Sequence, residues 1–144
     1  MFGIIVGTHG QFAPGIVQSC EMIFGKRDKL RAVTLMPGEG PDDVIAKYEK
    51  AIEELGTEKI LFFNDLLGGS PYNAACRLVA LNKNYGIVAG VNLPGLIAMS
   101  AAQDMDDGSA TIAEIMEQAI NACKDGMLSS SYESLNAASD DDEL

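Results

Sequence analysis

The sequence predicts an α/β fold whose doubly wound, mostly parallel central sheet is flanked by helices. Short apolar runs alternate along the chain with segments whose apolar residues recur at helical spacing, an order typical of βαβ units. The 144 residues are one domain's worth of chain, and 47% of them are hydrophobic, enough for a core without disulfides or metals. We find neither internal repeats nor an interdomain linker.

Four apolar runs are predicted to be strands buried on both faces, because each is short, nearly continuous and rich in β-branched or aromatic residues. They span residues 2–8, 30–35, 59–65 and 85–91. Helical periodicity predicts helices over residues 14–24, 41–55, 70–81, 93–103 and 110–124. Ser70 is the expected N-cap of the third helix, and Pro71 then occupies its first position, where the missing N–H costs nothing.

The C-terminal residues differ from the rest in charge. The whole chain has a net charge of −11. Residues 131–144 hold five acids and no cation, whereas residues 1–130 hold 16 acids and 10 bases. We therefore predict a folded domain over residues 1–130 and a disordered, solvated acidic tail over residues 131–144.

Composition excludes several classes of function. A net charge of −11 disfavours nucleic acid and anionic lipid as partners, and no apolar run is long enough to span a membrane. Cysteines 20, 76 and 123 form no CxxC pair and accompany a single histidine, so we expect no metal site and no cofactor. Free, mostly buried thiols and the lack of a basic leader favour the cytoplasm.

The candidate site depends on which strands are neighbours. If the first and third strands pair at the centre of the sheet, the loops that follow them share the crevice where strand order reverses. His9, the only histidine, follows the first strand, and Asp65 ends the third. Asp65 would accept the Nδ1 proton of His9 and present Nε2 as a nucleophile for a phosphoryl group. The alternatives are a loop histidine that only forms hydrogen bonds and an aspartate that only caps its turn.

Ser70 and its neighbours form a candidate phosphate cradle. Gly10, Gly68 and Gly69 let an anion approach the backbone, and a helix N-terminus offers N–H donors. The alternative for Ser70 is a plain N-cap, and a Ser70–His9–Asp65 hydrolytic triad is disfavoured because Ser70 would be locked as that cap. Neither loop brings Lys or Arg, and no P-loop, dinucleotide fingerprint or hydrolase elbow occurs in the sequence.

Four segments in register resemble the IIA domain of the mannose-type sugar phosphotransferase system. They are residues 4–10 (IIVGTHG), 37–39 (PGE), 65–75 (DLLGGSPYNAA) and 89–94 (AGVNLP). The resemblance covers about residues 2–128. It implies a phosphoryl group taken from the phosphocarrier HPr onto His9, held by Ser70 with Asp65 orienting the ring, and passed to a IIB component. That component phosphorylates sugar during import through a membrane IIC/IID complex.

The resemblance also implies a homodimer that exchanges a short antiparallel C-terminal strand, here over residues 126–129. Gly95 stands where the family usually has a bulkier apolar residue. No IIB segment follows in this sequence, so we expect a separate subunit that finds IIB in solution. Two alternatives stay open: a regulatory binding domain of the same fold, and a phosphotransfer subunit for dihydroxyacetone phosphorylation.

Overall fold

The central sheet has four parallel strands in the order β2-β1-β3-β4. The computed structural model describes the backbone of residues 1–141 and the side chains of residues 1–137. The strands are β1 (Gly3–His9), β2 (Leu30–Leu35), β3 (Ile60–Asn64) and β4 (Tyr85–Ala89). β1 pairs with β2 on one side and with β3 on the other, so the predicted pairing of the first and third strands is confirmed. Strand order reverses at β1, which places the crevice between the ends of β1 and β3.

Helices cover both faces of the sheet, as predicted. They are α1 (Phe12–Phe24), α2 (Pro41–Leu55), α3 (Ser70–Val79), α4 (Leu93–Met105), α5 (Ile112–Asp125) and α6 (Tyr132–Asp141). Successive residues of a strand point to opposite faces. Ile4 accordingly packs in a cluster with α1, α4 and α5, whereas Ile5 packs in a second cluster with α2 and α3.

The starts of α1 and α5 and the N-cap of α3 differ from the sequence prediction. α5 begins at Ile112 rather than at residue 110, and Thr111 is its N-cap. α1 begins at Phe12 rather than at residue 14, because the buried Thr8 hydroxyl accepts the N–H of Ala13 at 2.7 Å.

The prediction that Ser70 caps α3 and that Pro71 is its first residue is wrong. Gly69 is the N-cap, Ser70 is the first helical residue and makes no capping hydrogen bond, and Pro71 is the second. Gly69 has the extended backbone that an N-cap requires (φ −80°, ψ 172°).

The acidic tail also differs from the prediction. Disorder was expected after residue 130, but residues 132–141 form α6. Ser131 and Ser134 cap it reciprocally, since each side-chain oxygen accepts the other's backbone N–H at 2.9 and 3.1 Å. The side chains of Tyr132 and Leu135 are exposed, which agrees with a solvated tail. Residues 142–144 lie outside the described part of the chain.

Residues 127–131 have an irregular backbone, and an exchanged strand at residues 126–129 stays a prediction because it requires a second protomer.

All three cysteines are free, but only Cys20 is buried; Cys76 and Cys123 are half-buried, so the expectation of mostly buried thiols is wrong for two of them. A Cβ at Gly95 in α4 would overlap the sulfur of Cys123 in α5, so the packing of these two helices leaves no room for a larger residue there. Within residues 1–141, no helix has the length and apolar character needed to cross a bilayer.

Candidate functional site

The carboxyl ends of β1 and β3 bring His9 and Asp65 together. The two strands are hydrogen-bonded neighbours with Gly7 opposite Asn64, so the residues that follow emerge side by side. The His9 Nδ1 lies 2.8 Å from Asp65 Oδ2, and the backbone N–H of His9 donates to the same oxygen at 3.0 Å. Asp65 Oδ1 accepts the backbone N–H of Leu66 at 3.0 Å. The aspartate therefore holds the histidine at two points and also closes its own turn.

This arrangement determines which ring nitrogen is free. A carboxylate only accepts hydrogen bonds, so the Nδ1 of His9 carries the proton and Nε2 keeps its lone pair in the neutral ring. The side chain of His9 is 46% exposed, whereas that of Asp65 is 11% exposed. A visiting group thus has access to the nucleophilic nitrogen while the orienting carboxylate stays shielded.

Gly69 lies directly against the imidazole. A Cβ at Gly69 would stand 2.5 Å from Cε1 of His9, closer than a Cβ approaches other atoms in folded proteins, and 3.0 Å from Nε2. The sequence analysis assigned Gly69 to phosphate binding and missed this contact with the ring. The free Nε2 consequently faces the start of α3.

The remaining predicted site residues lie around the same point, with one change of role. Ser70 is half-buried and follows Gly69 in the chain. Gly68 and Gly10 have left-handed backbones, with φ of 88° and 55°. However, the N–H of Gly10 donates to the Leu35 carbonyl at 2.8 Å, so Gly10 shapes the turn and does not offer this donor to an anion. The free donors of a helix are those of its first turn, and Pro71 contributes none.

Lys47 of α2 and Arg77 of α3 are both paired with carboxylates. Lys47 donates to Glu39 at 2.7 Å, and Arg77 pairs with Asp42 at 3.0 Å. The hydrogen bond from Lys47, with the Met36 N–H, holds the pKa of Glu39 below its usual range. The two loops that meet at His9 carry no Lys or Arg, so an anion there would be held by N–H and hydroxyl groups.

Two buried polar residues below His9 were missed by the sequence analysis. The sequence analysis gave neither Tyr48 of α2 nor Asn64 of β3 a role in the site, yet both are fully buried and hydrogen-bonded to each other. The only sequence signal was an asparagine at the end of an otherwise apolar strand.

Comparison with known proteins gives a consistent assignment. A family model described as EIIA-man, PTS system fructose IIA component, matches residues 3–116. The fructose-specific EIIA component of the phosphotransferase system from Bacillus subtilis is 32% identical over 129 residues, which are 87% of this chain and 88% of that protein. The mannose-specific EIIAB component from Escherichia coli K12 is 36% identical over 125 residues, and the chain spans only 38% of its length.

Solved structures agree with this assignment. A PTS IIA protein associated with the fucose utilization operon of Streptococcus pneumoniae has a TM-score of 0.71 and 30% identity, covering 94% of this chain and 96% of that one. The phosphotransferase system component EIIA from Streptococcus agalactiae, at 24% identity, shares the fold with a TM-score of 0.80 over 90% of this chain and 97% of that one. This chain, with a histidine and an aspartate paired at the switch point of its sheet, belongs to the mannose family of phosphotransferase-system EIIA components.

Proposed function

We propose that this chain accepts a phosphoryl group from HPr on His9 and passes it to a IIB component, which phosphorylates a sugar during its import through a IIC/IID complex. The observation that carries the proposal is the 2.8 Å contact between His9 Nδ1 and Asp65 Oδ2. It leaves Nε2 unprotonated and exposed, as nucleophilic attack on phosphorus requires. The family assignment supports the same reaction.

The transfer step uses the groups at this edge of the sheet. The Nε2 lone pair attacks phosphorus, and the bond between phosphorus and the donor breaks with its electron pair on the donor. The ring then carries positive charge, which the Asp65 carboxylate stabilises through the Nδ1–H bond. Transfer to IIB reverses the sequence: the N–P bond breaks, its electron pair returns to Nε2, and the imidazole is neutral again.

The phosphoryl group would be held by the Ser70 hydroxyl and by backbone N–H groups of Gly68, Gly69 and the first turn of α3. Hydrogen bonds to a charged group contribute about 1.5–3 kcal/mol each, more than the roughly 0.3–1 kcal/mol of a helix dipole at an exposed site. Without a bidentate arginine the group is bound but not trapped, which suits a relay that must also release it.

We also propose that the chain acts in the cytoplasm as a homodimer that exchanges a strand over residues 126–129. Met127 and Leu128 are 79% and 90% exposed, and they follow α5, whose packing on β4 brings them close to the sheet edge that β4 forms. Sedimentation of the full chain tests this part. A monomer at micromolar concentration would contradict it.

One experiment tests the relay. The chain is incubated with phosphoenolpyruvate, enzyme I and HPr, the modified residue is mapped, and purified IIB is then added. We expect acid-labile phosphate on His9 alone, followed by its loss to IIB. Absence of labelling, or labelling of another residue, would overturn the proposal, and labelling without onward transfer would favour a regulatory domain.

A salt series in the same assay tests how the phosphocarrier docks. The body of the chain is acidic and its site has no cation, so a basic docking face on the donor would speed association at low ionic strength. We expect the transfer rate to fall as salt increases. A rate that does not change with ionic strength would contradict this part of the proposal.

A further inference from the structure

A chain of buried hydrogen bonds runs beneath His9. The Asn64 Nδ2 donates to the Gly7 carbonyl at 2.8 Å and to the Tyr48 hydroxyl at 2.9 Å. The Tyr48 hydroxyl in turn donates to the Pro71 carbonyl at 2.9 Å. The chain therefore joins β1, β3, α2 and the start of α3.

The direction of every bond in this chain follows from chemistry. The carbonyls of Gly7 and Pro71 can only accept, so the amide nitrogen of Asn64 must face Gly7 and the proton of Tyr48 must point to Pro71. The tyrosine oxygen then accepts the second amide proton. Burial raises the pKa of Tyr48, and the nearby charge of Asp65 raises it further although the bond from Asn64 opposes this. The hydroxyl consequently keeps the proton that the chain needs.

The hydrogen-bond chain contacts segments that are close in sequence to the site residues. Gly7 precedes His9 by two residues, Asn64 precedes Asp65 by one, and Pro71 follows Ser70. The backbone carbonyl of Asn64 also accepts the N–H groups of Gly90 and Val91 at 2.9 and 3.0 Å. These bonds connect the loop after β4 to the same network. A shift of β1, β3 or the first turn of α3 would therefore change the position of His9, Asp65 or Ser70.

Packing alone does not account for these two polar side chains. The ring of Tyr48 lies edge-on to Phe62 at 4.9 Å in an apolar cluster, and these ring contacts do not involve its hydroxyl. A Cβ at Gly7 would overlap the Tyr48 hydroxyl, so the strand gives up a side chain to admit this oxygen. Asn64 Oδ1 is buried with no hydrogen-bond partner among the described residues, a cost that an apolar side chain of similar volume would avoid.

We propose that Asn64 and Tyr48 are positioning residues that set the distance between the His9–Asp65 pair and the start of α3. The inference rests on the proposed phosphoryl transfer. Asn64 fixes the end of β1 relative to β3, and Tyr48 fixes the first turn of α3 relative to both. Neither side chain touches the phosphoryl group.

The test compares Tyr48→Phe and Asn64→Val with the matched control Tyr85→Phe. Tyr85 packs against the other side of the same aromatic cluster, 6.0 Å from the Phe62 ring, so the control makes the same chemical change in the same layer. Two quantities are measured below the unfolding transition. They are the NMR signals of the His9 ring nitrogens and of the proton shared with Asp65, without any phosphoryl donor, and the single-turnover rate of transfer from phosphorylated HPr.

We expect both variants to shift the His9 ring signals and to slow transfer by at least about tenfold, up to the roughly hundredfold loss that a misplacement of about 1 Å can cause. The control should retain wild-type values in both measurements. If the variants were less stable to unfolding but kept the wild-type ring signals and transfer rate, the inference would be overturned. The hydrogen bonds of Asn64 and Tyr48 would then have a structural role only. Should Asn64→Val not fold, Tyr48→Phe, which removes a single oxygen atom, decides the question.

The two readouts separate this inference from the function on which it rests. If the wild-type chain accepted no phosphate, the proposed function would fail, whereas the ring signals would still report whether Asn64 and Tyr48 position His9. Unshifted ring signals in both variants would overturn the inference even if the wild-type chain were phosphorylated.

Discussion

One oxygen of Asp65 holds His9 at both its ring and its backbone: Oδ2 accepts from Nδ1 at 2.8 Å and from the main-chain N–H at 3.0 Å. The double contact fixes the tautomer of the ring and the position of its Cα together. It connects two residues 56 positions apart in the chain, and the contact exists because β1 and β3 are neighbours.

Replacing His9 with Ala should abolish acceptance of phosphate and leave the fold intact. The ring is 46% exposed, so we expect the free energy of unfolding to change by less than about 1 kcal/mol. Mass spectrometry after incubation with the phosphoryl donors, together with urea unfolding, checks both parts. Acid-labile phosphate remaining on the variant would show that another group accepts it.

Replacing Asp65 with Asn should slow phosphoryl transfer by about tenfold or more. The amide carries no charge to stabilise the phosphorylated ring, and charge-assisted hydrogen bonds contribute about 1.5–3 kcal/mol. The rate is measured from a quenched time course of phosphoryl transfer from HPr. Asp28→Asn is the matched control, since Asp28 is exposed and lies before β2 at the opposite edge of the sheet. Equal rates in the two variants would mean that Asp65 only closes its turn.

Replacing Ser70 with Ala should affect phosphate and hardly affect stability. Because Ser70 makes no capping bond, we expect the free energy of unfolding to change by no more than about 0.5 kcal/mol, while the phosphorylated form is hydrolysed faster. The lifetime of the phosphohistidine is the measurement, and Ser70→Thr, which keeps a hydroxyl, is the control. A variant that loses stability but keeps the wild-type lifetime would return Ser70 to a purely structural role.

Replacing Gly69 with Ala should displace the ring of His9, because the added Cβ would stand 2.5 Å from Cε1. We expect transfer to fall by about tenfold or more, with a small change in stability because the ring can turn toward solvent. Gly40→Ala is the matched control: Gly40 is also a helix N-cap with an extended backbone, and its Cβ would meet open space. If both variants transfer at the wild-type rate, the contact at Gly69 does not matter for the reaction.

Alkaline pH should destabilise the wild-type chain more than Tyr48→Phe. Burial raises the pKa of Tyr48 above its ordinary value of 10.0, so above pH 10 the unfolded chain releases the phenol proton while the folded chain keeps it. The contribution of Tyr48 to stability is therefore complete below pH 10 and declines above it, by up to about 1.4 kcal/mol per pH unit. Urea unfolding between pH 8 and about 11 should show the free energy of unfolding of the wild type falling relative to that of Tyr48→Phe. A difference between the two proteins that stays constant over this range would contradict the prediction.

Local sequence patterns were sufficient for most of the secondary structure. Apolar runs such as that before His9 and the helical stripe of Val44, Tyr48 and Leu55 depend only on the period of the backbone, and the four segments in register identified the family. The helix over residues 132–141 was missed because the acidic composition outweighed the reciprocal caps of Ser131 and Ser134.

The sequence by itself determined that His9 and Asp65 each lie at the carboxyl end of a buried strand and that a helix begins near Ser70. Only the tertiary structure decided that these groups meet, because strand order depends on how crossovers pack and is not encoded in the period of any one strand. It also decided that Gly69, not Ser70, caps α3, and that Tyr48 uses its hydroxyl beneath the site, since a helical stripe specifies which side chains are buried and not which polar atoms they meet.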